Sequence, residues 1–184
     1  MSRRRRDFLK AAALSSCSWP AFLLPSQKHD ECDEMLRQTR RRFQEGLAEE
    51  RAILFRQLIS RYGSGVLDLV RKVTIEDARR RLRESSLPKR DLEAVLEILW
   101  KPSAGLLDFR VEEKGPGLLK LRVTECLFAA AMRKHAAADI GLAFYCAYDY
   151  GFCEGLNPKI VFTRTKTLMG GDAFCDHTYM LKSS

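Results

Sequence analysis

The stretch that decides the fold is LDFRVEEKGPGLLKLRVT, residues 107–124. Its two arms, Leu107–Glu113 and Leu118–Thr124, alternate apolar and polar side chains, and a period of two is typical of half-buried β-strands. Lys114–Gly117 between them contains Gly-Pro-Gly, which favours a tight turn. The sequence therefore predicts a hairpin with one buried face.

Downstream, the chain returns to helix and then to strand. Cys126 to about His135 and Ile140 to about Cys153 carry helical patterns, whereas Lys159–Leu168 and Phe174–Lys182 read as strands joined through Met169–Asp172. Together with the hairpin, these elements predict an antiparallel sheet with helices packed on one face over residues 105–182. The expected fold class is α+β.

Upstream, residues 30–101 are predicted to form an N-terminal helical section. A long amphipathic helix runs from Asp30 to about Tyr62, where Gly63-Ser64-Gly65 ends it. A second helix runs from Val66 to about Arg83, and Pro88 opens a third. Helical section and sheet together predict a single domain over residues 30–184.

Residues 1–27 have the features of an export leader. The pair Arg5-Arg6 stands before Phe8-Leu9, Lys10 and a weakly apolar run, the pattern that the twin-arginine translocase reads. Leu14-Ser15-Ser16-Cys17 has the small-residue pattern of a lipidation site, so Cys17 is a candidate lipoprotein cysteine, and a leader without lipid is the alternative. We expect an exported protein, periplasmic or anchored at the outer side of the cytoplasmic membrane.

The charge pattern does not favour nucleic acid as a partner. The formal net charge is +8, and about half of it lies in the leader. The clusters Arg40–Arg42 and Arg79–Arg83 alternate with acids on helical spacing and lack interleaved aromatic residues. They are interpreted as solvated helix faces, and a membrane is expected to matter only through the leader or a lipid anchor.

Thiols, a carboxylate and an imidazole form the candidate site. Cys146, Asp149 and Cys153 recur at i, i+3 and i+7 of a predicted helix and share about one face. Cys175 and His177 share a face of a predicted strand. Packed together, this set could bind zinc or pair a cysteine nucleophile with a histidine base. Cysteines that merely fill the core, or that form a disulfide, remain alternatives.

The C-terminal third resembles a known family. The likeness is carried by Cys146-Ala-Tyr-Asp149, Gly155-Leu-Asn157-Pro158-Lys-Ile160 and Arg164-Thr-Lys-Thr167-Leu168-Met-Gly-Gly171-Asp172-Ala-Phe-Cys175-Asp176-His177. These segments resemble the C-terminal signature of the L-2-amino-thiazoline-4-carboxylic acid hydrolase family. Shorter pieces of the signature also recur in vinyl-4-reductase-type domains, which bind or sense small molecules. An exported binding or sensing domain, with or without a metal, is therefore the alternative function.

The resemblance implies hydrolysis of a cyclic amidine as a step of cysteine metabolism. Water adds to C2 of a thiazoline ring, the ring sulfur leaves, and an N-carbamoyl product forms from a small-molecule substrate. Such a step requires an activated water or thiolate, a proton donor and a cation for the substrate carboxylate.

The same resemblance suggests roles for individual residues. Cys175 and His177 are candidates for the nucleophile and its base, and Asp149 or Asp172 for the acid or base. Arg164 would clamp the carboxylate, with Cys146 beside it in the substrate site. Whether a metal is bound stays open; the residue types make Cys146, Cys175 and His177 the candidate ligands and zinc the candidate ion. Alternatively, Asp172 serves a turn and Arg164 points to solvent.

Overall fold

The computed structural model describes residues 25–182, with side chains from residue 30 onward. Arg5-Arg6 and Cys17 lie outside the described residues, so export and lipidation stay predictions. The chain divides into two units between residues 38 and 39, and the sheet and the pocket described below belong to the second unit. Across the described residues, no helix is long and apolar enough to cross a membrane.

Three helical segments precede the sheet. Helix α1 spans Pro25–Tyr62 and α2 spans Gly65–Glu84; Gly63, at φ 85°, ends α1 as predicted. Helix α3 spans Leu92–Val95 and continues through a π-helical turn, Leu96–Trp100, into the 3-10 turn Lys101–Ser103.

The prediction that Pro88 opens the third helix is wrong. The Asp91 side chain accepts a hydrogen bond from the Ala94 N–H at 2.9 Å, and this N-cap sets the start of α3 at Leu92. A capping carboxylate satisfies one of the orphan N–H groups of the first turn, which proline at position 88 cannot do.

Four strands form one antiparallel sheet, which confirms the α+β prediction. They are β1 (Leu107–Lys114), β2 (Leu118–Cys126), β3 (Ile160–Thr163) and β4 (Cys175–Leu181), in the spatial order β1-β2-β4-β3. The predicted hairpin is β1-β2. Its two strands are each a residue or two longer than the predicted arms.

One face of this sheet is buried under the helices. On β4 the side chains of Cys175, His177 and Tyr179 are buried, whereas the intervening ones are more exposed. Leu121 and Val123 of β2 lie opposite His177 and Cys175, and both are buried as well. The predicted shared face of Cys175 and His177 is thereby the core face.

The predicted strand Lys159–Leu168 is too long. Strand β3 ends at Thr163, because the carboxylate of Asp176 accepts the backbone N–H groups of Thr165, at 2.8 Å, and of Lys166. Those amides are therefore satisfied without a strand partner. The chain then runs through a 3-10 turn, Leu168–Gly170, before β4.

The predicted helix Ile140–Cys153 is also broken in two. Helix α4 spans Leu127–Lys134 and α5 spans Ala138–Gly141. The latter continues as a π-helical turn, Leu142–Cys146, before α6, Tyr148–Leu156. The wider turn changes the angular spacing along the segment, and Cys153 packs into the hydrophobic core, 1% exposed, instead of sharing a site with Cys146.

Two glycines let α6 lie very close to α2. A Cβ atom on Gly151 would lie 2.2 Å from the carbonyl oxygen of Ile75, and one on Gly155 would lie 2.5 Å from that of Arg79. The spacing of four residues on both helices keeps the contact along one face. This packing fixes the position of the first turn of α6, which carries Asp149.

Candidate functional site

A pocket of about 270 Å³ lies between the buried face of the sheet and the helices. Both π-helical turns supply its walls, Trp100 from the first and Phe144, Tyr145 and Cys146 from the second. Its lining is mainly apolar, with a few polar groups, which is the usual composition of a small-molecule site.

Three polar side chains converge in this pocket. Arg164, just past β3, donates from Nη1 to Asp149 Oδ2 at 2.7 Å; their side chains are only 8% and 15% exposed. His177 Nε2 lies 3.3 Å from the same Nη1 and 3.6 Å from Asp149 Oδ2. The Asp149–Arg164–His177 group, hereafter the polar cluster, joins α6, the end of β3 and β4.

His177 is held between aromatic rings. Its ring meets Trp100 edge-on at 4.9 Å and stacks on Phe162 at 5.6 Å. Because a guanidinium only donates, the contact with Arg164 makes Nε2 the acceptor and assigns the ring proton to Nδ1. Among the described residues, the buried Nδ1 has no hydrogen-bond partner.

Arg164 is bonded to protein through both terminal nitrogens. Besides the contacts of Nη1, Nη2 donates to the carbonyl oxygen of Cys146 at 3.1 Å. Burial lowers the pKa of Arg164, but the charge of Asp149 together with smaller contributions from Cys146, Tyr150 and Cys175 outweighs it, and the net pKa is raised. Arg164 is therefore a permanent cation whose charge is compensated inside the pocket.

The thiols of the pocket meet at Thr167. The Sγ atoms of Cys146 and Cys175 lie 3.9 and 3.8 Å from Thr167 Oγ1, and Cys175 Sγ also accepts the Leu168 N–H at 3.2 Å. Burial raises the pKa of Cys146 to about 12 and that of Cys126 to about 11, so both are thiols at neutral pH.

The zinc prediction finds no support in the donor set. Among the described residues, no group of three or more His, Cys, Asp or Glu side chains is arranged to hold a metal ion. Cys126, Cys146, Cys153 and Cys175 are free thiols, so they do not form the disulfide left open by their spacing.

The structure brings together five of the six candidate residues. Lining the pocket are Cys146, Asp149, Arg164, Cys175 and His177. Asp172 is not among the lining residues: it is exposed, and its Oδ2 accepts the Thr167 N–H at 2.7 Å beside Gly171, whose φ is 105°. Its observed contact is that of a turn residue.

Two further residues of the pocket, Thr167 and Trp100, make hydrogen bonds there but were given no role from the sequence. Thr167 lies inside the signature quoted above, so its position offered a signal that was given no role. Trp100 ends the first π-helical turn, and its Nε1 donates to Tyr179 Oη at 3.2 Å. No spacing rule connects Trp100 to a cluster more than forty residues away in the chain, because only the fold brings them together.

The family comparison bears on this pocket. The model of the L-2-amino-thiazoline-4-carboxylic acid hydrolase family matches residues 40–179. The chain belongs to this family. The match takes in the helical section as well as the sheet, so a hydrolase-like assignment for this L-2-amino-thiazoline-4-carboxylic acid hydrolase family member extends well beyond the C-terminal signature.

Two further comparisons do not extend the functional assignment. No match was found among curated proteins. A similar solved structure is trafficking protein particle complex subunit 3 from Naegleria fowleri, covalently bound to palmitic acid. It is 15% identical, with a TM-score of 0.48, over 76% of this chain and 95% of that chain.

Proposed function

We propose that this protein hydrolyses a cyclic amidine of the 2-amino-thiazoline type to an N-carbamoyl product. The observation that carries the proposal is the polar cluster, because its buried carboxylate, guanidinium and imidazole open onto the same pocket as the Cys175 thiol. Membership of the hydrolase family supports the same class of reaction.

Asp149 is the group we assign to the amidine. Its Oδ2 is bonded to Arg164, whereas its Oδ1 accepts no hydrogen bond from the described residues. A carboxylate held in this way pairs with the two N–H donors of an amidinium through charge-assisted hydrogen bonds. The pairing would orient C2 and keep it electron-poor for attack.

The reaction needs one water and no further reactant. The water oxygen bonds to C2 while one water proton passes to Asp149 or His177 and the C2–N double bond becomes a single bond to the ring nitrogen. The C2–S bond then breaks as the carbonyl forms, and the second water proton moves to the ring sulfur, which leaves as a thiol. Cys175 is the candidate for an alternative first step, in which its sulfur attacks C2 and water releases the product from the resulting intermediate. A mass increase on Cys175 during turnover would identify that second route.

The test is release of free thiol from 2-amino-thiazoline-4-carboxylate by the purified protein. We expect His177→Ala to reduce turnover by 100-fold or more, a typical order for lost acid–base catalysis, and Cys175→Ala to do the same where its sulfur is the nucleophile, with the folded circular dichroism spectrum retained in both variants. Cys153→Ala is the matched control, because Cys153 is buried but lies outside the pocket.

Two outcomes would overturn the proposal. Full activity in both variants would place the chemistry elsewhere. Thermal stabilisation of the wild type by the thiazoline without thiol release would favour the alternative function, a small-molecule-binding or sensing domain.

Export is a separate proposal that rests on the sequence pattern Arg5-Arg6 alone. Replacing both arginines by lysine should leave folded protein in the cytoplasm, because the translocase reads the arginine pair rather than the charge. Unchanged export would contradict it. Fatty-acid labelling that is lost in Cys17→Ala would establish the lipid anchor.

A further inference from the structure

A second cavity adjoins the pocket. It measures about 570 Å³ and shares four wall residues with the pocket: Leu107, Cys126, Ala129 and Leu168. It is lined in part by exposed residues, Arg41 and Arg133 among them. We call it the outer cavity.

Among the described residues, the pocket has no uncompensated positive charge that could pair with the carboxylate of a substrate. The cation of the polar cluster, Arg164, is compensated by Asp149 at 2.7 Å. A second carboxylate placed there would be repelled by Asp149 and would compete for an already bonded guanidinium. A carboxylate on the ring would therefore be better accommodated outside the polar cluster.

Arg133 of the outer cavity has N–H groups available to donate hydrogen bonds to a ligand. Its Nη1 donates to the carbonyl oxygen of Leu168 at 3.3 Å, and among the described residues it takes part in no ion pair. The N–H of the same Leu168 donates to Cys175 Sγ. A single residue in the shared wall thus connects the guanidinium with the thiol of the pocket.

The charges that line the outer cavity balance, with Arg41 and Arg133 against Asp108 and Glu125. Arg41 donates to the carbonyl oxygen of Gly105 at 3.3 Å, and Asp108, on β1, accepts from Thr124 at 3.4 Å. Glu125, on β2, also lines the cavity. Two carboxylates in the walls disfavour a polyanion, so a ligand with one carboxylate is the better fit.

We propose that Arg133 binds the carboxylate of the substrate in the outer cavity while the amidine ring lies in the pocket. The outer cavity is then a specificity subsite for cyclic amidine monocarboxylates. Arg41 contributes less, because no contact connects it with Leu168. The inference rests on the proposed function for its ligand, but its test includes binding as well as turnover.

The experiment compares 2-amino-thiazoline-4-carboxylate with 2-amino-thiazoline, which lacks the carboxylate, in full-length wild type and Arg133→Gln. Losing a charge-assisted hydrogen bond should weaken binding of the acid about 10- to 100-fold by calorimetry and raise its KM similarly. Binding and turnover of 2-amino-thiazoline, which has no carboxylate, should change less than about twofold. Arg133→Lys should give an intermediate loss for the acid.

The matched control is Lys134→Gln, which removes the same charge from the neighbouring residue, whose Nζ pairs with Glu49 outside both cavities. Equal affinity of wild type and Arg133→Gln for the acid would overturn the subsite, as would an equal loss in Lys134→Gln or no binding of the acid at all. Binding that depends on Arg133 but is not followed by thiol release would uphold the subsite and remove the hydrolase proposal.

Discussion

The walls of the pocket and the exposed surface of the same unit both contain arginine and aspartate, but these residues differ in burial and in their bonding partners. Arg164 and Asp149 are buried and bonded to each other, whereas Arg133 and Asp172 are exposed and bond to single backbone groups. An arginine bound to protein positions its neighbours; one with unused donors can bind a ligand. Burial and existing partners, rather than residue type, separate these roles, and four predictions test the difference.

The largest effect on the free energy of unfolding is expected for the buried pair of Arg164 and Asp149. Arg164→Met should lower the free energy of unfolding by about 3 kcal/mol, because it leaves the Asp149 carboxylate without its cation in a mostly buried site. Arg133→Met on the surface should cost less than about 0.5 kcal/mol. Urea unfolding measures both. Adding Asp149→Leu to Arg164→Met should restore part of the loss; no recovery would mean that the pair is not the cause.

Glycines give the second contrast. Gly151→Ala should cost about 2 kcal/mol, since the new Cβ would meet the Ile75 carbonyl oxygen and force α6 away from α2. Gly46→Ala, within α1 and with no atom within 4 Å of the new Cβ, should instead stabilise by about 0.5 kcal/mol. Thermal unfolding of both variants distinguishes them, and a loss of the same size at Gly46 would contradict the close packing described.

The two aspartates give the third contrast. Asp172→Ala should cost about 1 kcal/mol, because it removes the acceptor of the Thr167 N–H, and should leave kcat within about twofold. Asp149→Asn keeps the shape of the side chain but removes its charge, and it should abolish most of the turnover. Thiol-release kinetics decide between them. A loss of kcat greater than about twofold in Asp172→Ala would indicate that Asp172 belongs to the catalytic site.

The smallest effect is expected for alkylation of the buried thiols, which should not react at neutral pH. Burial raises the pKa values of Cys146 and Cys126 to about 12 and 11, so iodoacetamide at pH 7.5 should leave both unmodified in the folded protein but not in urea. Labelling should rise about tenfold per pH unit toward pH 10 as thiolate forms. Mass spectrometry locates the label; rapid modification at neutral pH would show that these thiols are not enclosed.

The same raised pKa values determine how stability depends on alkaline pH. The folded state holds these two protons more tightly than the unfolded chain, in which a thiol titrates near pH 9. Their contribution to stability is therefore complete below about pH 9 and is lost as the pH rises through 11 and 12.

Alternation along the chain was enough to predict the hairpin and the shared face of Cys175 and His177, since a period of two survives in the sequence. The end of β3 was not predictable in this way, because it depends on the Asp176 carboxylate eleven residues further on. The pairing of Arg164 with Asp149 likewise joins two elements through the fold. Local patterns therefore placed Cys175 and His177 on one face, whereas the carboxylate-clamp role that the resemblance suggested for Arg164 stays a prediction, and Arg164 already pairs with Asp149.

The two π-helical turns have a consequence for comparing relatives. Each turn holds an extra residue, and the first ends in Trp100, the second in Cys146. Deleting one residue from either would restore ordinary helix and rotate the side chains that follow by about 100°. Trp100 or Cys146 would then face away from the pocket with the rest of the sequence unchanged. In an alignment, a gap one residue wide at these positions would mark a pocket with a different wall.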